Sequence, residues 1–254
     1  MTKLIIFDLD GTVYLGEKEV SGAADYIKEC HAKGIRTMFV TNRSNRVPEL
    51  VVEQLRGYGI PCELSDVMTT ALAAASYIST PSKVYVVGED GLRIALKEAG
   101  HTIVEDEQPD YVVVSIDREF TYSKLAKAAT YILKGAKFIA TNPDHRLHLN
   151  GRIAPGSGSI VAAVQTATDV APVMLGKPER ALMDAALEQA GVTADEAVAI
   201  GDNLETDIPA AAAAGVRTVL ILTGYSKRED CATAKIKPDF VVEDYAELSQ
   251  LALS

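Results

Sequence analysis

Asp8 and Asp10 stand two residues apart at the exit of an apolar run, Leu4 to Phe7, and lead directly into Gly11 and Thr12. Side chains alternate along a strand, so the two carboxylates point to the same side. Like charges that close raise each other's pKa unless a cation lies between them or one holds a proton. The pair therefore suits a hard metal ion, or a nucleophile partnered by a general acid.

Three more polar clusters follow short apolar runs: Thr41-Asn42, Lys177 within Gly176-Lys177-Pro178, and Gly201-Asp202-Asn203 with Asp207 close behind. Taken singly, each reads as a turn, a helix cap or an exposed lysine. Together and in this order they fit one site, and the chemistry they suit is phosphoryl transfer. A carboxylate can attack as nucleophile and form an aspartyl-phosphate, dividing a difficult displacement into two steps. A second acid protonates the leaving oxygen and later takes a proton from water. The transferred group is strongly anionic, so a lysine, hydroxyl or amide donors and Mg²⁺ must offset its charge. Mg²⁺ takes one or two carboxylates together with water and phosphate oxygens, and Asp8 and Asp202 would supply them.

Such residues work together only if strands deliver them to one edge. Leu4–Leu9, Ile35–Val40, Val173–Leu175 and Glu196–Ile200 read as strands, and the polar clusters sit at or just beyond their exits. Between them run helical stretches: Gly22–Lys33, stopped by Gly34; Pro48–Tyr58, opened by a proline; Ser65–Ile78, rich in alanine; Ala181–Ala190; and Ile208–Ala214. A second strand–helix series fills the middle, with strands at Lys83–Val87, Thr102–Val104, Tyr111–Ile116 and Lys137–Thr141, then a polar loop over Asn142–Gly151. Alternation of this kind predicts an α/β fold with parallel sheets and helices on both faces. In doubly wound sheets ligands bind outside the carboxyl ends of the strands, where these clusters lie.

The chain has 254 residues, 48% of them hydrophobic, enough for a substantial core and far from the composition of a disordered chain. No apolar run approaches the roughly 20 residues that span a bilayer, and the N-terminus enters a strand with no signal-peptide pattern. A net charge of −10, with no Trp and 6% aromatics, points away from nucleic-acid polymers. Cys30, Cys62 and Cys231 show neither zinc-binding nor disulfide spacing, so a reducing, cytoplasmic setting is expected.

Asp8-Leu9-Asp10-Gly11-Thr12, Thr41-Asn42, Lys177 and Gly201-Asp202-Asn203-Leu204-Glu205-Thr206-Asp207 resemble, in order, the four motifs of the haloacid dehalogenase (HAD) superfamily. The resemblance implies Asp8 as nucleophile and Asp10 as general acid/base. It implies Thr41 and Lys177 as phosphate binders, and Asp8, the Asp10 carbonyl and Asp202 as Mg²⁺ ligands. Asp207 would support the metal shell or position Lys177, with Asn203 beside it in the same shell. An acidic residue at position 10 favours phosphate chemistry over dehalogenation.

The β/α pattern between the second and third motifs suggests an inserted α/β cap. Ala140-Thr141-Asn142-Pro143-Asp144, with Pro155-Gly156-Ser157-Gly158-Ser159 beyond it, looks like the NagD-type (C2-type) cap. The resemblance thus implies a Rossmann-like doubly wound core over 1–78 and 173–254, with a cap over 79–172. It implies a Mg²⁺-dependent phosphomonoester hydrolase of small phosphorylated metabolites: sugar phosphates, nucleotides, phosphoglycolate or pyridoxal phosphate. Selectivity would fall to Asn142, Asp144, His145 and Arg146 of the cap loop and to Asn42, Arg43 and Asn45. A homodimer is a family-level expectation. Two alternatives are a phosphomutase, disfavoured by the short stretch between Asp10 and Thr41, and a non-catalytic protein on the same scaffold, disfavoured by the intact motifs.

Overall fold

A computed structural model describes residues 1–78, 81–149 and 152–252. The chain begins with β1 (Leu4–Asp8), a small hairpin of β2 (Tyr14–Leu15) and β3 (Lys18–Glu19), α1 (Ala23–Ala32), β4 (Arg36–Thr41), α2 (Pro48–Gly57), β5 (Val67–Thr69) and α3 (Thr70–Tyr77). The middle carries β6 (Lys83–Val87), α4 (Asp90–Glu98), β7 (Thr102–Ile103), β8 (Tyr111–Val114), α5 (Tyr122–Leu133) and β9 (Lys137–Ala140). It continues through β10 (Arg146–Leu149), β11 (Arg152–Pro155), α6 (Ser157–Thr168) and β12 (Val173–Met174). The last stretch holds α7 (Ala181–Ala190), β13 (Ala197–Gly201), α8 (Asp207–Ala213), β14 (Arg217–Ile221), β15 (Phe240–Val242) and α9 (Tyr245–Leu248).

Two compact units result. The first comprises Met1–Thr41, Pro48–Met68 and Lys177–Ser254; the second comprises Asn42–Val47 and Thr69–Gly176. The α3 helix and the segment just after Thr41 thus belong to the second unit, and a boundary at residue 79 falls outside the described residues.

The first unit is built on a sheet ordered β15-β14-β13-β1-β4-β5. β1 lies between β4 and β13 and runs parallel to both. Leu4, Ile5, Ile6 and Phe7 are all fully buried, as befits a central strand covered on both faces. Phe7 stacks on Phe39 of β4, and Ile200 and Val219 extend the same core. Gly34 follows α1 in the left-handed region, at φ 73°, and its N–H donates to the His31 carbonyl, so the helix ends where the glycine predicts.

The second unit holds a sheet ordered β12-β9-β8-β6-β7, all of whose pairs are parallel. Its core gathers Tyr85, Val112, Val114, Phe138 and Val161.

The structure corrects three readings of the sequence. The expected helix over Ser65–Ile78 is broken: Val67–Thr69 is a fully buried strand, and Thr69 caps α3 by accepting from the Leu72 N–H at 3.2 Å. The expected loop over Asn142–Gly151 is irregular at residues 142–145 but becomes a strand at Arg146–Leu149, β10 paired antiparallel with β11; residues 150 and 151 lie outside the described residues. β12 does not resume the first sheet; Val173 and Met174 pair with Ile139 and Ala140 of the second.

Candidate active site

The order of the first sheet makes β1 the point at which the chain's strands divide, with β4 on one side and β13 on the other. Loops leaving the carboxyl ends of such strands open a crevice. Asp8 is the last residue of β1, Thr41 the last of β4, and Asp202 the first beyond β13. Asp207 opens α8, where a carboxylate also suits the positive end of the helix dipole. Lys177 begins the segment that returns the chain to the first unit.

These side chains are brought together inside the first unit. Asp8, Lys177, Asp202 and Asp207 are each no more than 9% exposed. The Lys177 ammonium donates to Asp207 Oδ1 at 2.6 Å and also to Asp8 Oδ1. The second Asp207 oxygen accepts from the Asn203 N–H at 3.1 Å, and the Asn203 side chain accepts from the Glu205 N–H at 2.8 Å. Asn203 thus shapes the loop while Asp207 aims the lysine. Thr41 is buried at the end of its strand. Asp10 is half-buried and bridges to Tyr14 across a turn whose Gly11 has φ 89°.

Charge explains the behaviour of the cluster. Carboxylate oxygens of Asp8, Asp202 and Asp207 lie within 4.8 Å of one another. Burial raises the Asp8 pKa well above the ordinary range, against the pull of the Lys177 charge, while Asp207 and Asp202 add to the rise. Burial, followed by the Asp207 charge, pushes Asp202 up to about 7. For Lys177 burial acts downward, but Asp207 and Asp8 together outweigh it, so the ammonium is held protonated. Three carboxylates against one ammonium leave an excess of negative charge in a buried place, which is costly without a further cation. An all-oxygen donor set fits a hard divalent ion better than one that prefers nitrogen or sulfur.

Three glycines give this cluster its shape, and the motif reading missed one of them. A Cβ on Gly201 would lie 2.3 Å from that of Asp207, and one on Gly11 would lie 2.3 Å from Asp202 Oδ2. A Cβ on Gly224 would lie 2.1 Å from the same oxygen. Gly224 sits in a polar strand exit, Thr223-Gly224-Tyr225-Ser226 after β14, the same signal that marks the other clusters.

The residues expected to select substrate belong to the second unit. Asn142 donates to Asp144 Oδ2 at 2.5 Å, and Asn42 donates to the same oxygen at 3.4 Å. The Thr141 hydroxyl donates to Asn142 Oδ1 at 2.9 Å and lies 3.0 Å from the Ser115 hydroxyl, with which it shares a second hydrogen bond. The Asn42 carbonyl accepts from the Thr70 hydroxyl at 2.8 Å, and Asn45 donates to Glu89 at 3.3 Å. Asn142 is buried, whereas Arg43, His145 and Arg146 are exposed.

Family models place this arrangement. Residues 5–102 match the haloacid dehalogenase-like hydrolase model and residues 174–248 match a second HAD hydrolase-like model. The chain is 41% identical over 248 residues to an acid sugar phosphatase of Staphylococcus aureus (strain USA300), covering 96% of both. Among solved structures it is similar to the p-nitrophenyl phosphatase from Archaeoglobus fulgidus, at TM-score 0.92 and 30% identity over 97% of this chain and 98% of that one. NagD from E. coli K-12 is similar at TM-score 0.91 and 33% identity, again over 97% and 98%. The chain is a phosphatase, and it belongs to the HAD-like hydrolases in their NagD-like branch.

Proposed function

We propose that this phosphatase is a Mg²⁺-dependent phosphomonoesterase of small phosphorylated metabolites, with sugar phosphates as its substrate class, working through an aspartyl-phosphate on Asp8. The observation that carries this reading is the buried Lys177 ammonium, shared between Asp8 and Asp207 beside a third carboxylate, Asp202. The names of the relatives, an acid sugar phosphatase and a p-nitrophenyl phosphatase, support the reaction and the substrate class.

An Asp8 oxygen attacks phosphorus as the bond from phosphorus to the leaving oxygen breaks, and Asp10 gives that oxygen its proton. The Asp10 carboxylate then takes a proton from water, whose oxygen attacks the same phosphorus. The bond to Asp8 breaks and inorganic phosphate leaves. Lys177 stays charged throughout, holds Asp8 in place and, with Thr41, offsets charge on the phosphoryl oxygens. Asp8, Asp202 and the Asp10 carbonyl would hold Mg²⁺, and Asp207 with Asn203 would support that shell. Bound there, Mg²⁺ supplies charge stabilisation to the transferred group.

The second unit acts in this reading as the cap that encloses substrate and excludes water. Its exposed Arg43 and His145 contact the substrate, while Asn42, Asn142 and Asp144, which hold one another, fix the loops that present them. Three cysteines with free thiols support a reducing, cytoplasmic setting. No helix among the described residues is long and apolar enough to cross a membrane. Turnover of p-nitrophenyl phosphate and a panel of sugar phosphates tests the proposal. Activity that needs Mg²⁺, vanishes with EDTA and is absent in Asp8→Asn supports it; activity indifferent to the metal contradicts it.

A further inference from the structure

The segment Thr223–Ser226 lies outside the four motifs, yet every residue in it touches one of them. The Thr223 hydroxyl donates to the Gly11 carbonyl at 2.7 Å. Gly224 leaves no room for a side chain: its Cβ would lie 2.1 Å from Asp202 Oδ2 and 2.7 Å from the Gly11 Cα. The Tyr225 N–H donates to Asp202 Oδ2 at 2.6 Å. The Ser226 N–H donates to the Asp202 carbonyl at 3.0 Å, and its buried hydroxyl accepts from the Leu204 N–H at 3.0 Å.

We infer that Thr223–Ser226 is a positioning loop that sets the metal affinity of the site by immobilising Asp202. Gly11 and Gly224 close on the carboxylate, and the Tyr225 amide anchors one of its oxygens. Thr223 ties the same loop to the turn that follows Asp8, so the first and last motifs are held at one separation. A carboxylate fixed in this way binds a hard ion without first losing its own rotational freedom, and partners behind a ligand typically govern about 10- to 100-fold in affinity. This inference rests on the metal reading of the site proposed above.

Mg²⁺ titration calorimetry on the EDTA-stripped chain, together with the Mg²⁺ dependence of p-nitrophenyl phosphate turnover, tests it. Gly224→Ala must displace Asp202, and we expect a Mg²⁺ Kd raised at least about tenfold. Half-maximal activity then shifts to higher Mg²⁺, while kcat at saturating Mg²⁺ falls much less. Thr223→Val, which keeps shape but removes the hydroxyl, weakens Mg²⁺ in the same direction, and Thr223→Ser restores it. This pair decides the matter if Gly224→Ala does not fold. Wild-type chain that binds Mg²⁺ alongside folded variants with unchanged Kd overturns this inference alone. Wild-type chain that binds no Mg²⁺ overturns the metal reading and this inference with it.

Discussion

The Lys177 ammonium lies 2.6 Å from Asp207 Oδ1 and donates at the same time to Asp8, so one buried cation orients the nucleophile and is itself oriented by a carboxylate at a helix start. All three side chains are largely buried, so little solvent screens either link. The consequences are measurable.

Lys177→Met leaves the buried carboxylates of Asp8, Asp202 and Asp207 with no ammonium among them. Unfolding in urea with EDTA should show a loss of about 3–5 kcal/mol, the usual cost of orphaning a buried charge. Mg²⁺ should return part of that loss, and kcat should still fall about 10²- to 10³-fold because a donor to the phosphoryl group is gone.

Asp207→Asn keeps an acceptor for the Asn203 N–H but removes the charge that holds Lys177. We expect kcat to fall about 10- to 100-fold. If steady-state kinetics showed an unchanged kcat, Asp207 would not be aiming the lysine.

Without metal, burial holds the folded Asp202 at a pKa of about 7 against its ordinary value of 3.8, so folded and unfolded chains differ in protonation between the two. An acid whose pKa is higher when folded binds more protons folded than unfolded, so its contribution to stability declines as pH rises through that interval. The Tm of EDTA-treated protein should therefore decline more steeply with rising pH across this window in wild type than in Asp202→Asn. Equal slopes would remove Asp202 as the source.

Asp144→Ala strips the buried Asn142 amide of its partner. A loss of about 1–3 kcal/mol in chemical denaturation is expected. Arg43→Ala and His145→Ala, at exposed positions, should leave stability nearly untouched and change the ranking of kcat/KM across a sugar-phosphate panel.

The reading of the sequence and the structure agree where function and burial impose the same pattern. Asp8, Thr41 and Asp202 were legible because each ends a run of buried residues, and strand exits on one sheet edge converge. The strand Val67–Thr69 was not, because three apolar-to-small residues running straight into an alanine-rich helix carry no period of their own. The paired strands after Asp144 were hidden because Arg146–Leu149 mixes charged, apolar and His residues and reads as a polar loop. The second unit's claim on β12 depends on pairing with β9, a long-range choice that no local pattern announces. Gly224 was missed for a different reason. Its role is an absence of side chain beside Asp202: the polar strand exit after β14 marks the segment, but no local pattern of residues says which oxygen the glycine makes room for.

The most direct test of the account is capture of the phosphoenzyme. Wild-type protein mixed with Mg²⁺ and ³²P-labelled p-nitrophenyl phosphate, quenched in acid within one turnover and digested, should carry label on the peptide containing Asp8. Borohydride reduction of the same sample should convert residue 8 to homoserine. Steady hydrolysis with no label on that peptide, or with label on any other residue, would contradict the assignment of Asp8 as nucleophile.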